Sequence, residues 1–443
     1  MRDRAVEMVK ALREAGFRAY WAGGCVRDLV MGHEPQDYDV ATDARPEQVM
    51  KLFPKTVPVG VSFGVVKVLL DNDEFEVATF RSDGRYLDGR HPVEVHFAGE
   101  KEDAQRRDFT LNGMFYDPIK EQVIDHVGGQ RDIKAGIIRT IGSPLDRFSE
   151  DKLRLLRAVR FSARFGYTIE PQTEVAIRDL AAQITQVSAE RIRDEMEKML
   201  TGPHPAGSIR LLHQTGLLKV VLPEAAAMEG VEQPKEFHPE GDVLTHTLLM
   251  LDQMTRPVSD SPSLSFELAL GVLLHDVGKP PTFTPPKTDR DRIRFDNHCE
   301  VGARMAEAVG QRLRLSNKQL EIVIGLVRDH LKFKDVKQMR ESTLKRFLRQ
   351  PHFAEHLELH RLDCLASHGD LTNWQFCRKK LTELPPEVIR PARLLTGDDL
   401  IRLGYSPGSL FAEILTAVED AQLEGRITTR EEAIALVEKQ FPR

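Results

Sequence analysis

The densest polar cluster in this sequence is Gly23-Gly24-Cys25-Val26-Arg27-Asp28, followed closely by Asp37-Tyr38-Asp39. Glycines behind a strand let the backbone approach a polyphosphate, and a helix that starts there offers free amides to the anion. Residues two apart in a strand point to one face, so Asp37 and Asp39 project together and can share two magnesium ions. Such a metal pair lowers the pKa of an attacking hydroxyl and stabilises a pyrophosphate leaving group. Taken alone, Asp-X-Asp reads more readily as a polar turn with an Asx cap.

Two further stretches weigh against the turn. Arg106-Arg107-Asp108-Phe109-Thr110-Leu111-Asn112 pairs arginines, which grip phosphate bidentately, with an acid that accepts from ribose hydroxyls. By itself it equally describes a surface ion-pair cluster. Glu150-Asp151-Lys152-Leu153-Arg154 is expected to open a helix and to set Asp151 and Arg154 on one face. A carboxylate accepts from the exocyclic amine of adenine or cytosine and a guanidinium donates to ring acceptors, so the pair can select A and C without a nucleic-acid template. The alternative is an acidic first turn that complements the helix dipole. Arg154, Arg157, Arg160 and Arg164 continue at spacings of three and four beside Phe161 and Phe165, giving either a solvated face or a track for RNA phosphates.

The elements that must position these groups change character along the chain. In the first third, Ala19 to Ala22 and Asp37 to Ala41 read as strands, and Gly64 to Leu70 with Glu74 to Phe80 as a hairpin turned at Asp71-Asn72-Asp73. From about Pro144 the periodicity is helical, through Leu153 to Phe165, Thr173 to Leu180, Ala189 to Leu200 and Gly207 to Thr215. With 443 residues, 41% hydrophobic and 29% charged, the chain suggests two to four soluble domains. Its longest apolar stretch, near Leu268 to Leu274, is too short to span a bilayer, and Met1 to Phe17 reads as an amphipathic helix. A cytoplasmic protein without a membrane segment is expected. Cys25, Cys299, Cys364 and Cys377 form no CxxC pair, which argues against a disulfide scaffold and a thiolate zinc site. The net charge of −6 decides nothing, because an RNA enzyme needs only a local positive track.

A second chemistry sits mid-chain, where His246, the adjacent His275-Asp276 and Asp363 all fall in helical sequence. A lone histidine is usually a satisfied polar residue. An adjacent His-Asp pair behind an apolar run is costly to bury unless a metal or partner satisfies it.

In order and spacing, the stretches from about Tyr20 to Glu224 resemble the bacterial and eukaryotic tRNA nucleotidyltransferases (CCA-adding enzymes) and bacterial poly(A) polymerases of the DNA polymerase β superfamily. The resemblance implies an α/β head followed by an all-α neck, body, HD-type domain and tail, in an elongated multidomain chain. It implies that Asp37 and Asp39 are catalytic and hold Mg²⁺. Nucleotide binding would fall to Gly23, Gly24, Arg27, Asp28, Arg106, Arg107, Asp108, Asn112, Glu150, Asp151, Arg154, Arg157 and Arg160. Asp125 to Asp132, with Gly128 and Gly129, resembles the family's hinge, and Ser82 to Gln105 sits where the family has a flexible loop. Glu76 is a possible further acid near the metals.

Residues Val231 to Gly369 resemble an HD-type phosphohydrolase domain. This implies one divalent metal, of unstated identity, at His246, His275, Asp276 and Asp363, a second at His298 and His330, and Lys279 on the phosphate. Domain limits of 1–143, 144–230, 231–369 and 370–443 are expected, with tRNA, CTP and ATP as partners and no DNA. The tail, Leu394 to Glu438, is expected to grip tRNA. The competing expectations are an A-adding enzyme or poly(A) polymerase, and a regulator in which only the HD-type site works.

Overall fold

Among the described residues, most strand signals of the first third fold into a mixed sheet of seven strands. In spatial order these are Thr56–Val57, Val65–Leu70, Asp73–Thr79, Asp39–Thr42, Ala19–Ala22, Phe115–Asp117 and Gln122–Ile124. Every neighbouring pair is antiparallel except Asp39–Thr42 with Asp73–Thr79. The computed structural model describes residues 1–59, 63–71, 73–84, 95–256, 262–288 and 291–442. They form two compact units, Met1–Ala226 and Ala227–Arg443.

The strand expected from Asp37 begins at Asp39, whose cross-strand partner is Ala22. The chain turns away at Gly23, so Asp37 and Tyr38 have nothing to pair with. Alternation persists all the same: Asp37 is exposed, Tyr38 is buried against Trp21 with ring centroids 4.6 Å apart, and Asp39 is half-buried. The expected hairpin is present, with Val65 opposite Ala78 and Leu70 opposite Asp73. Its turn residue Asn72 lies outside the described residues. So do 85–94 of the stretch expected as a flexible loop, while Arg81–Asp83 pairs with Val95–Phe97 and Glu100–Gln105 is helical.

Beyond the sheet, the first unit is helical at Pro144–Glu150, Leu153–Phe165, Pro171–Leu180, Ala189–Leu200 and Pro205–Gln214. One expectation fails here. Glu150 closes a helix, Asp151 is extended (φ −143°, ψ 108°), and Arg154 lies in the first turn of the next helix. Asp151 and Arg154 therefore do not share a helical face. Beyond the head the chain is helical as expected, with only short strands among the described residues, such as Thr168–Ile169, which pairs in parallel with Ile137–Ile138 of the head.

In the second unit, His246 lies in the helix Val243–Met254, which Asp242 caps by accepting from the Thr245 amide at 2.7 Å. His275 closes the helix Phe266–Leu274, His298 opens His298–Arg312, His330 closes Asn317–Asp329, and Asp363 lies in Phe353–Ala366. Helix ends thus carry the polar groups while the apolar faces pack. A short antiparallel pair, Phe283–Thr284 with Arg294–Phe295, interrupts the helices. One apolar cluster joins Phe333, Phe347 and Phe353 to Cys377 and Ile389, so its core spans the chain on both sides of residue 370. Another, around Leu400, Ile414 and Val437, belongs to the tail. Among the described residues no helix is long and apolar enough to cross a membrane.

Candidate functional site

The strand Ala19–Ala22 runs into Gly23, whose φ of +75° suits glycine and disfavours any residue with a side chain. A β-carbon there would stand 3.4 Å from Arg107 Nη1 and 3.8 Å from Asp39 Oδ2. Gly23 therefore keeps open a cradle between a guanidinium and a carboxylate. Burial, then the charges of Glu76 and Asp37, push the Asp39 carboxyl up to about 6 against the pull of Arg107. Carboxylates that repel one another in this way are relieved by a cation, so the residues present fit divalent metal. Glu76, exposed on Asp73–Thr79, is not drawn with them into a compact three-ligand cluster among the described residues.

A chain of hydrogen bonds links the glycine stretch to the second cluster. Arg27 donates from Nε to Asp28 Oδ1 at 2.8 Å and from Nη1 to Asn112 Oδ1 at 3.0 Å. Asn112 Nδ2 donates to Asp108 Oδ1 at 3.1 Å, and Arg157 donates twice to Asp108 Oδ2, at 2.8 and 2.6 Å. Burial opposes the Asp108 charge, yet Arg157 and Asn112 hold its carboxyl down at about 2. Arg106 and Arg107 both fork onto buried Asp103, at 2.7–2.9 Å and 2.9–3.1 Å. Gly24 lies in the short helix that follows Gly23.

The base-selecting candidates are held just as firmly. Glu150 Oε2 accepts from Arg154 Nη1 at 2.6 Å and from Arg147 Nη1 at 3.0 Å. Both arginines also donate to the Arg106 carbonyl, each at 3.3 Å, which ties this element to the Arg106-Arg107-Asp108 stretch. Asp151 is gripped by Arg191, and Arg160 donates to buried Glu195 at 2.6 Å. The arginine row is thus neither a solvated face nor an open track. Arg154, Arg157 and Arg160 are each paired with a carboxylate, and only Arg164 is exposed.

In the second unit, four histidines converge on two carboxylates. Nδ1 of His275, His298 and His330 lies 2.8, 2.8 and 2.7 Å from the carbonyl oxygens of Val272, Phe295 and Val327. A carbonyl only accepts, so Nδ1 carries the proton and each Nε2 presents a lone pair. Those three nitrogens lie 3.1, 3.5 and 3.7 Å from Asp276. His246 Nε2 stands 3.1 Å from Asp363 Oδ1, while its Nδ1 meets Glu240 Oε1 at 2.6 Å. His275 Nε2 and Asp276 Oδ1 are buried without a hydrogen-bond partner. Burial pushes His330 down to about 4 despite Asp276, so it offers that lone pair at neutral pH. Lone pairs facing carboxylate oxygens in a buried site require a cation, and the donor set fits divalent metal. Lys279 meets Asp276 Oδ2 and Gln233 Oε1, both at 2.6 Å, beside a cavity of about 790 Å³.

The family model "Poly A polymerase head domain" matches residues 19–139. Residues 19–139 are thus similar to poly A polymerase head domains. "Probable RNA and SrmB- binding site of polymerase A" matches residues 166–229 and "HD domain" matches residues 243–364. Among curated proteins, the chain is 43% identical over 226 residues to the CCA-adding enzyme of Geobacillus kaustophilus, covering 51% of this chain and 55% of the relative. It is 44% identical over 215 residues to that of Bacillus subtilis, covering 48% and 54%. The chain spans about half the length of the curated relatives it matches. Among solved structures it is similar to the Bacillus stearothermophilus CCA-adding enzyme in complex with CTP, at 27% identity, TM-score 0.71 and coverage of 98% and 96%. The Thermotoga maritima CCA-adding enzyme complexed with tRNA_CCA shares the fold at 21% identity and TM-score 0.61, with coverage of 99% and 94%.

Several residues that frame these two clusters leave little trace in the sequence. Asp103 stands three and four residues before Arg106 and Arg107, a spacing that could have revealed it. Arg191 and Glu195 are likewise four apart, but their partners are distant in sequence and leave no local signal. Glu240 could not be told from any loop acid.

Proposed function

We propose that the head domain transfers nucleotides from CTP and ATP to the 3′ end of tRNA, building a C-C-A end with release of pyrophosphate, and that Asp37 and Asp39 hold Mg²⁺. The cradle at Gly23 carries this reading, because it sets Asp39 and Arg107 across a space that a β-carbon would fill. When bound, the metals activate the 3′-hydroxyl and stabilise the leaving pyrophosphate. Arg107, aimed by Asp103, grips the triphosphate, with Arg106 and Asp108 alongside for phosphate and ribose. Asp151 and Arg154 choose the base. The CTP complex of the 27% identical Bacillus stearothermophilus enzyme supports this assignment, as do the relatives named for CCA addition. The helical region 144–230 and the tail 370–443 serve as tRNA-binding parts, which fits a cytoplasmic enzyme. In the direct test, Asp39→Asn abolishes incorporation of both CTP and ATP; incorporation at the wild-type rate would remove Asp39 from the mechanism.

We infer that the HD domain, 231–369, hydrolyses phosphate or 2′,3′-cyclic phosphate ends, restoring the hydroxyl that the head domain extends. His246, His275, Asp276 and Asp363 would hold one metal, His298 and His330 a second. A doubly substituted protein, His275→Ala with Asp276→Ala, that still trims phosphate from RNA ends at full rate would dismiss this second activity.

A further inference from the structure

We propose that Cys299 is a thiolate ligand to the second metal of the HD domain, completing a site with His298, His330 and Asp276 that prefers zinc or another thiophilic ion to magnesium. The proposal rests on the reading of this domain as a metal site.

Three observations point there. Cys299 Sγ lies 3.6 Å from His298 Nε2. A metal bound at about 2.3 Å to sulfur and about 2.0 Å to nitrogen in tetrahedral geometry needs those two donors roughly that far apart. His298, Cys299 and His330 each offer a ligand atom, and all three atoms lie within 4.8 Å of one another. Asp276 Oδ1, buried and without a hydrogen-bond partner, stands 3.5 Å from His298 Nε2 and 3.7 Å from His330 Nε2. The carbonyl bonds at Nδ1 of both imidazoles leave their Nε2 lone pairs turned to the same place. Cys299 is half-buried and forms no disulfide, so an ion can reach it.

Binding replaces the S–H bond with a sulfur–metal bond and releases the proton to solvent, with no change in oxidation state. A soft thiolate beside two imidazoles and one carboxylate suits zinc, whereas magnesium takes oxygen ligands. The sequence concealed this donor because it follows a histidine instead of pairing with another cysteine.

Cobalt(II) is the probe. The full-length protein, freed of metal and titrated with Co²⁺, is expected to show d–d bands together with a near-ultraviolet thiolate-to-cobalt charge-transfer band. Cys299→Ser is expected to lose that band and keep the d–d bands of histidine-bound cobalt. Cys364→Ser, which removes another thiol near a histidine, should keep it. Cobalt bound by the wild type without the charge-transfer band, or a band that survives Cys299→Ser, overturns the assignment of Cys299 and leaves the metal site standing. No cobalt binding at all overturns both.

Discussion

Arg191 reaches from the helix Ala189–Leu200 to both carboxylate oxygens of Asp151, with Nη1 3.2 Å from Oδ1 and Nη2 2.7 Å from Oδ2. Asp151 is extended, and this fork, together with the Leu153 amide that donates to Oδ1 at 3.0 Å, sets where its carboxylate points. A charge-assisted pair of this kind contributes roughly 1.5–3 kcal/mol. Arg191→Met should therefore lower the preference for CTP and ATP over UTP by about tenfold to a hundredfold, read from kcat/KM for each nucleotide. A loss of stability with unchanged preference would show that the fork is only structural.

Asp108 should make stability depend on acid. Its folded carboxyl lies at about 2, below the ordinary carboxylate value. The contribution is thus fully present above pH 4 or so and is lost as pH falls towards 2. Urea unfolding should place Asp108→Asn roughly 2 kcal/mol below wild type at neutral pH, with a gap that narrows on acidification. A gap independent of pH would contradict the pairing with Arg157.

Gly23→Ala combines strained backbone with a methyl group in the cradle. Strain of this kind costs on the order of 1–3 kcal/mol. The expected result is a drop of about a hundredfold in kcat/KM for CTP. Near-normal turnover would mean that the triphosphate does not pass this glycine.

His356 is buried, its Nδ1 has no hydrogen-bond partner, and burial pushes it down to about 4. A histidine held neutral in this way contributes stability that is complete above about pH 6.5 and falls away towards pH 4, by at most roughly 3 kcal/mol. The thermal midpoint should fall across that window, and His356→Leu should flatten the fall. A wild-type profile flat between these values would refute it.

Much of the fold was visible in the residues. Leu153–Phe165 and Ala189–Leu200 match their expected limits because amphipathic helices announce themselves locally. The hairpin at Asp71 was legible through its polar turn. Asp151 was misplaced because the helical spacing of Asp151 and Arg154 runs through a break that only the ends of two helices reveal. The arginines show the deeper limit. Their spacing was plain, but whether Arg157 and Arg160 face solvent, RNA or a carboxylate depended on Asp108 and Glu195, many residues away. Long-range pairing leaves no periodicity behind.

The most direct measurement is the sequence of the 3′ end that the wild-type protein adds to a tRNA lacking CCA, given all four nucleoside triphosphates and Mg²⁺. The expected result is addition of C, C and A, and then no further addition. A run of A alone, or addition of A only to a tRNA already ending in CC with no use of CTP, would contradict it.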